Sequence, residues 1–140
     1  MLENFYIGVK GVVRVANKVL ILKKKDQTGN YFWDIPGGRI DDNETIEETL
    51  HRELKEEVPS LGKYSISKII GAYRLPKDLN DGLGLVLIFY KIDAESFVAS
   101  FSDEHEESKW VEIDEIEALR NDSAVYISPG YLEALIEALK

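Results

Sequence analysis

Glu53, Glu56 and Glu57 stand close together in a segment that reads as a helix, and their spacing is the chemistry-bearing feature of the chain. On a helix of about 3.6 residues per turn, Ile46, Leu50, Leu54 and Val58 recur on one side as an apolar stripe. Glu53 and Glu57 fall on that side with Glu56 at its flank, whereas Glu48, His51 and Lys55 fall opposite, toward solvent. Like charges at this spacing repel, and burying them without partners is costly. A solvated acidic face accounts for Glu47 and Glu48 but fails for Glu53 and Glu57. A hard divalent cation with oxygen ligands, Mg²⁺ or alternatively Mn²⁺, would cancel the repulsion. Arg52 is placed either to brace the set by ion pairing, for instance with Glu56 at i,i+4, or to make an ordinary surface salt bridge.

The elements around this helix must hold it in register. Thr45-Ile46-Glu47-Glu48 has the form of a capping box, which starts the helix at Thr45. Pro59 disfavours helical geometry at Val58, so the helix is expected to end near Glu57. Upstream, the short aromatic strand at 31–35 delivers the chain into Pro36-Gly37-Gly38. Paired glycines permit a tight turn or a close backbone approach that a side chain would block. Arg39 follows directly, and its planar fork suits either a phosphate oxygen or an ion pair with Asp41 or Asp42.

At these residues the sequence resembles the Nudix hydrolase family. Its signature box, G-x5-E-x7-R-E-U-x-E-E-x-G-U with U a bulky apolar residue, is matched by Gly38, Glu44 and Arg52-Glu53-Leu54-Lys55-Glu56-Glu57 at the required spacing. Trp33-Asp34-Ile35-Pro36-Gly37 is similar to the strand and turn that lead into the box. The match departs at Pro59 and Ser60, where the box carries glycine and an apolar residue. Glycine there allows a left-handed cap and proline forbids it, so a different helix exit is expected, with Gly62 as a candidate for the turn. The resemblance covers roughly residues 8–119. It implies an α/β fold, an α/β/α sandwich with a mixed β-sheet between helices. It also implies metal binding by Glu53, Glu56, Glu57 and the Gly37 backbone, with Arg52 orienting the glutamates. A later acidic loop before a tryptophan-containing strand completes the metal site or supplies the base in this family. Glu104 matches best by its distance from Trp110, with Glu106 and Glu107 as rivals and a solvated loop as the bland alternative.

The rest of the chain reads as support. Residues 5–15 and 19–24 form a hairpin, closed by Lys23, Lys24 and Lys25. One of these lysines is a candidate phosphate contact, against a solvated strand end. Strands follow at 64–73 and 83–92, separated by a polar loop bearing Arg74 and Lys77. The run 85–90 is apolar without alternation, as for a strand covered on both faces. Residues 91–101 are expected to leave the sheet. A short helix at 114–120 and a last helix opened by Ser128-Pro129 finish the chain. Candidate substrate contacts are therefore Arg39, the open backbone at Gly38, Lys24 and Arg74.

With 140 residues, 44% hydrophobic and 31% charged, a single domain over 1–140 is expected. Seventeen basic against 26 acidic residues give a net charge of −9, which argues against a nucleic-acid duplex as partner. A phosphorylated small molecule stays open, because a bound cation inverts the local field. Cysteine is absent, which excludes disulfides and thiolate metal sites. No membrane span or signal pattern is present, so a cytoplasmic protein is the expectation.

The resemblance implies Mg²⁺-dependent cleavage of the pyrophosphate bond of a nucleoside diphosphate linked to another moiety, of the nucleotide-sugar, ADP-ribose or nucleoside-triphosphate type. Glu53 or Glu104 would serve as base. The alternatives are a non-catalytic Nudix-like module that holds a nucleotide as a sensor, and a structural acidic domain stabilised by Ca²⁺. Family members often dimerise, which makes a homodimer one expectation.

Overall fold

The strands of this chain carry runs of adjacent apolar residues because two layers of helices claim opposite faces of one sheet. The computed structural model describes residues 4–96 and 107–140. In order, it contains β1 (Phe5–Val15), β2 (Lys18–Lys25), β3 (Tyr31–Asp34), β4 (Gly37–Arg39), α1 (Ile46–Glu57), β5 (Tyr64–Arg74), β6 (Gly84–Ala94), β7 (Glu107–Val111), α2 (Ile113–Arg120), β8 (Val125–Tyr126) and α3 (Pro129–Ala138). The strands lie side by side as β5-β6-β1-β2-β3-β8, while β4 also pairs with β1 and β7 with β2. β1 runs parallel to β6 but antiparallel to β2 and β4, so the sheet is mixed.

Successive side chains on a strand point to opposite faces. In β1 and β2, Val12, Val19 and Ile21 join one core cluster with residues of α2 and α3, among them Ile116, Leu132 and Leu135. Val13, Leu20 and Leu22 point the other way and pack with Leu54, Val58 and Leu61 at α1. The expected sandwich is therefore present. In β6 the two-sided cover is incomplete. Leu87 and Phe89 are buried in the first cluster, whereas Val86 and Ile88 on the other face are only half-buried, because α1 reaches no farther along that face than Ile92 and Tyr90.

One boundary differs from the sequence reading. β6 does not leave the sheet at Lys91. It continues to Ala94, held on one side by pairing of Asp93 with Arg14 and on the other by pairing of Ala94 with Tyr64. The helix exit is also resolved. Val58 closes α1 with its N–H on the Leu54 carbonyl at 2.8 Å, at φ −132° and ψ 63°, outside the helical region. The Leu61 N–H then returns to the Val58 carbonyl at 3.1 Å, and Leu61 is buried. Pro59 thus sits just past the end of the helix, and Glu57 stays 2% exposed.

The N-terminus of α1 has both bonds of the capping box. Glu48 N–H reaches Thr45 Oγ1 at 3.2 Å, and Thr45 N–H reaches Glu48 Oε1 at 3.1 Å. Thr45→Ala is expected to lower stability by about 1 kcal/mol, read by urea denaturation, while Thr45→Ser stays within a few tenths of wild type.

Candidate active site on the first helix

Arg52 is the hub of the outer half of the site. Its Nε and Nη2 donate to Glu44 Oε2 and Oε1 at 2.8 and 3.0 Å, a side-on pair that fixes the guanidinium plane. Nη1 donates to Glu53 Oε1 at 2.8 Å, and Nη2 also meets the Arg39 carbonyl at 3.3 Å. The i,i+4 pair with Glu56, expected from spacing, is the loosest contact at 3.7 Å. Glu44 is thus the true brace. It also accepts from the Asp41 N–H and the Thr49 hydroxyl, and its carboxyl is held down at about 2, with the Arg52 hydrogen bond as the largest cause.

The inner half is a buried chain of ion pairs. Glu57 takes the Lys24 ammonium at Oε2, 3.0 Å, and the Gly37 N–H at Oε1, 3.3 Å. Lys24 also binds Asp34 Oδ2 at 2.8 Å, and Lys10 binds Asp34 Oδ1 at 3.0 Å. The Ile35 N–H donates to the same Oδ1 at 2.8 Å. Burial alone would push the Asp34 carboxyl up, but Lys10 and Lys24 outweigh it and hold the group below its ordinary range. Burial likewise opposes the charge on Lys24, and Asp34 and Glu57 reverse that, so its ammonium is stabilised. Tyr131 closes the cluster from α3, its hydroxyl pushed far up by burial and by the neighbouring Asp34 charge.

The lysine triplet is therefore not a uniform solvated strand end. Lys23 and Lys25 lie over the Tyr31 ring at 4.6 and 5.2 Å, while Lys24, between them in sequence, turns to the opposite face and inward. Lys10 and Asp34 were not singled out from the sequence. The available signal was a lysine inside the apolar run Val9 to Val13 and an aspartate buried before Pro36.

The two glycines of the turn are required by different neighbours, Gly37 by β1 and Gly38 by α1. Gly37 has φ +147°, and a Cβ there would collide with the Val9 carbonyl. A Cβ at Gly38 would collide with the Glu53 carboxylate. The helix and turn thus meet at Glu53 through Gly38 and at Glu57 through the Gly37 N–H.

Glu53 and Glu57 face each other within hydrogen-bonding reach. Burial raises the Glu53 carboxyl most, and the hydrogen bond and charge of Glu57 raise it further against the opposing pull of Arg52. Glu56 is half exposed. Among the described residues, no three carboxylate or imidazole side chains converge on one point as an ion would require. The donor chemistry nonetheless fits a hard cation, since hard-oxygen groups crowd at Glu53 and Glu57 and only one of the two has an ammonium. Glu104, like its rival Glu106, lies outside the described residues. Glu107, the other rival, is exposed at the start of β7 and pairs with Lys23 at 3.5 Å.

The other candidates are spread around this centre. Arg39 lies over the Tyr6 ring at 4.3 Å instead of pairing with Asp41 or Asp42. It borders a hollow of about 470 Å³ together with Lys77, Asp78 and Asp81. Arg74 is turned away onto the Phe5 ring at 4.8 Å and reaches Asp78 at 3.9 Å. A second hollow of about 620 Å³ is lined by Tyr31, Phe32, Trp33, Tyr126 and Tyr131, and shares Leu75 and Lys77 with the first.

Glu44 and Glu53 predict opposite pH behaviour. Glu44 is depressed, so it stabilises the fold above its ordinary 4.5 and loses that contribution as pH falls toward about 2. Glu53 is raised, so its ionisation destabilises the metal-free fold as pH rises through its folded value. In thermal melts without metal at neutral pH, Glu44→Gln is expected to lower Tm, and to flatten the loss of stability on acidification. Glu53→Gln is expected to raise Tm by roughly 2–4 °C.

Comparison with known proteins places this geometry. An ADP-ribose pyrophosphatase from Methanocaldococcus jannaschii is 26% identical over 116 residues, covering 83% of this chain and 67% of that protein. An RNA pyrophosphohydrolase from Pelagibacter ubique is 27% identical over 141 aligned positions, covering 91% of this chain and 89% of the relative. Among solved structures, a NUDIX hydrolase from Nitrosomonas europaea superposes with a TM-score of 0.74 at 18% identity, covering 96% of this chain and 88% of the other, which shows a shared fold. Residues 6–129 match the family model of the NUDIX domain, a span that takes in the glycine turn, α1 and its braces, and this chain belongs to the NUDIX family.

Proposed function

We propose that this chain is a pyrophosphohydrolase that cleaves the diphosphate linkage of a nucleoside diphosphate joined to a further group, with Mg²⁺ or Mn²⁺ held by Glu53, Glu56 and Glu57. The observation that carries the reading is the Glu53–Glu57 pair, pressed together on the buried side of α1, with Glu53 against Gly38 and Glu57 on the Gly37 N–H. Such an arrangement costs stability in isolation, and a site that retains it answers to chemistry more than to folding. When bound, the cation supplies Lewis-acid polarisation of phosphoryl oxygens and a bound water of lowered pKa.

The chain's own residues do the rest. Arg52, locked by Glu44, fixes the Glu53 carboxylate in one orientation. The upward push on Glu53 suits it to accept a proton from water attacking phosphorus, with Glu104 as the other candidate for that role. Arg39 and Lys77 at the smaller hollow offer positive charge for phosphate oxygens. The adjoining aromatic hollow offers Tyr31, Phe32 and Tyr126 as faces for a base. Relatives named for ADP-ribose and for RNA support a nucleotide-derived substrate without choosing one.

The test is a panel of nucleoside diphosphate derivatives (sugar nucleotides, ADP-ribose, dinucleoside polyphosphates and nucleoside triphosphates) incubated with Mg²⁺ or Mn²⁺, with products identified to locate the cleaved bond. Glu57→Gln keeps the Lys24–Asp34 pair and is expected to fold, yet to lose at least about a hundredfold in kcat/KM. Near-wild-type turnover in that variant overturns the metal role of Glu57. Tight nucleotide binding with no product from any substrate overturns catalysis in favour of a sensor module.

A further inference from the structure

Lys24 has two carboxylate partners, and only one of them belongs to the helix. Its ammonium lies 2.8 Å from Asp34 Oδ2 and 3.0 Å from Glu57 Oε2. Asp34 is itself 5% exposed and is shared with Lys10 at 3.0 Å, a pair on neighbouring parts of the sheet outside the signature helix. With a side chain only 19% exposed, this ammonium needs a carboxylate in every state of the site, because an unpaired charge withdrawn from water is penalised. Glu57 is the carboxylate a divalent ion would take. Lys24 then has to surrender one bond and keep the other.

We propose that Asp34 is a positioning residue that makes Glu57 available: it retains the Lys24 ammonium when a divalent cation claims the Glu57 carboxylate, so that Lys24 serves as the resident counter-cation of the empty site and steps aside without becoming unpaired. The inference rests on the metal reading of Glu57 given above. Lys10 belongs to the same device. It neutralises Asp34 from the far side and keeps that carboxylate ionised and fixed, through Oδ1, with Oδ2 turned to Lys24. The Ile35 N–H on Oδ1 holds the same orientation. Without Asp34, the only carboxylate left within reach of the Lys24 ammonium among the described contacts is Glu57, and the lysine competes with the cation for it.

The experiment measures Mn²⁺ binding by calorimetry in the absence of nucleotide, so that turnover plays no part in the readout. Asp34→Asn alone strands the buried Lys10, so the informative variant is Asp34→Asn with Lys10→Met, which removes a neutral pair and leaves Lys24 and Glu57 in place. Circular dichroism and thermal melts establish that it folds. Mn²⁺ affinity is expected to fall by roughly tenfold, the scale of one charged hydrogen bond. Adding Lys24→Met to that variant is expected to restore affinity to within about threefold of the Lys24→Met single variant, because the competitor is gone. A merely structural role for Asp34 would show no such rescue. Unchanged affinity in the Asp34→Asn, Lys10→Met protein overturns the proposal, as does a loss that Lys24→Met fails to repair. These outcomes are separate from failure of the metal reading, which is signalled by wild-type protein that binds no Mn²⁺ or by Glu57→Gln that binds it as tightly as wild type.

Discussion

The structure is governed by the repulsion between two carboxylates that one helix carries into its packed side. Leu50, Leu54 and Val58 must bury, and Glu53 and Glu57 share their side of α1, so the apolar effect that docks the helix also drags charge inward. Each neighbouring feature answers that conflict. Glu44 and Arg52 hold Glu53 from outside, and Lys24 meets Glu57 from inside. In the glycine turn, Gly38 leaves the space that Glu53 fills, and the Gly37 N–H becomes a donor to Glu57.

A mixed sheet is well suited to this task. β1 pairs with β6 along most of its length and also with β4 near its start, which brings the glycine turn alongside Val9 and Lys10. Antiparallel pairing of β2 with β3 sets Lys24 opposite Phe32 and Leu22 opposite Asp34. The resulting diagonal lets Lys24 reach Asp34 on the same face, and the α1 side of the sheet then supplies Glu57. Lys24, Asp34 and Glu57 become one charge network because strand alternation and register both favour that face, and Lys10 joins it from the α3 side.

The same reasoning explains what the sequence made legible. Helix period alone separated Glu53 and Glu57 from Glu48, His51 and Lys55, and the structure buries or half-buries the first two while exposing the other three. The capping box and the end of the helix were local too, and both appear where the residues placed them. The network of Lys10, Lys24 and Asp34 was not legible, because it depends on how β1, β2 and β3 register, and a lysine triplet at a strand end looks the same whichever member turns inward. Arg52 was legible as a brace but not its principal partner, since Glu44 comes from a loop whose path no periodicity describes. The continuation of β6 past Lys91 was hidden for a related reason: two partner strands extend a ladder through residues whose own pattern is polar.

Charge accounting then links this interior to its substrate. Around α1, the three cations Lys10, Lys24 and Arg52 face the five carboxylates Asp34, Glu44, Glu53, Glu56 and Glu57, so the set carries two surplus negative charges when every carboxylate is ionised. In a chain of net charge −9 that centre would repel a diphosphate. A proton on Glu53, the direction in which its carboxyl is pushed, would remove half of that surplus, and a dication among the glutamates would cancel it. The repulsion of a phosphorylated ligand would then be lifted, and the buried lysine–aspartate pair would let Glu57 turn to the ion without stranding a charge in the core.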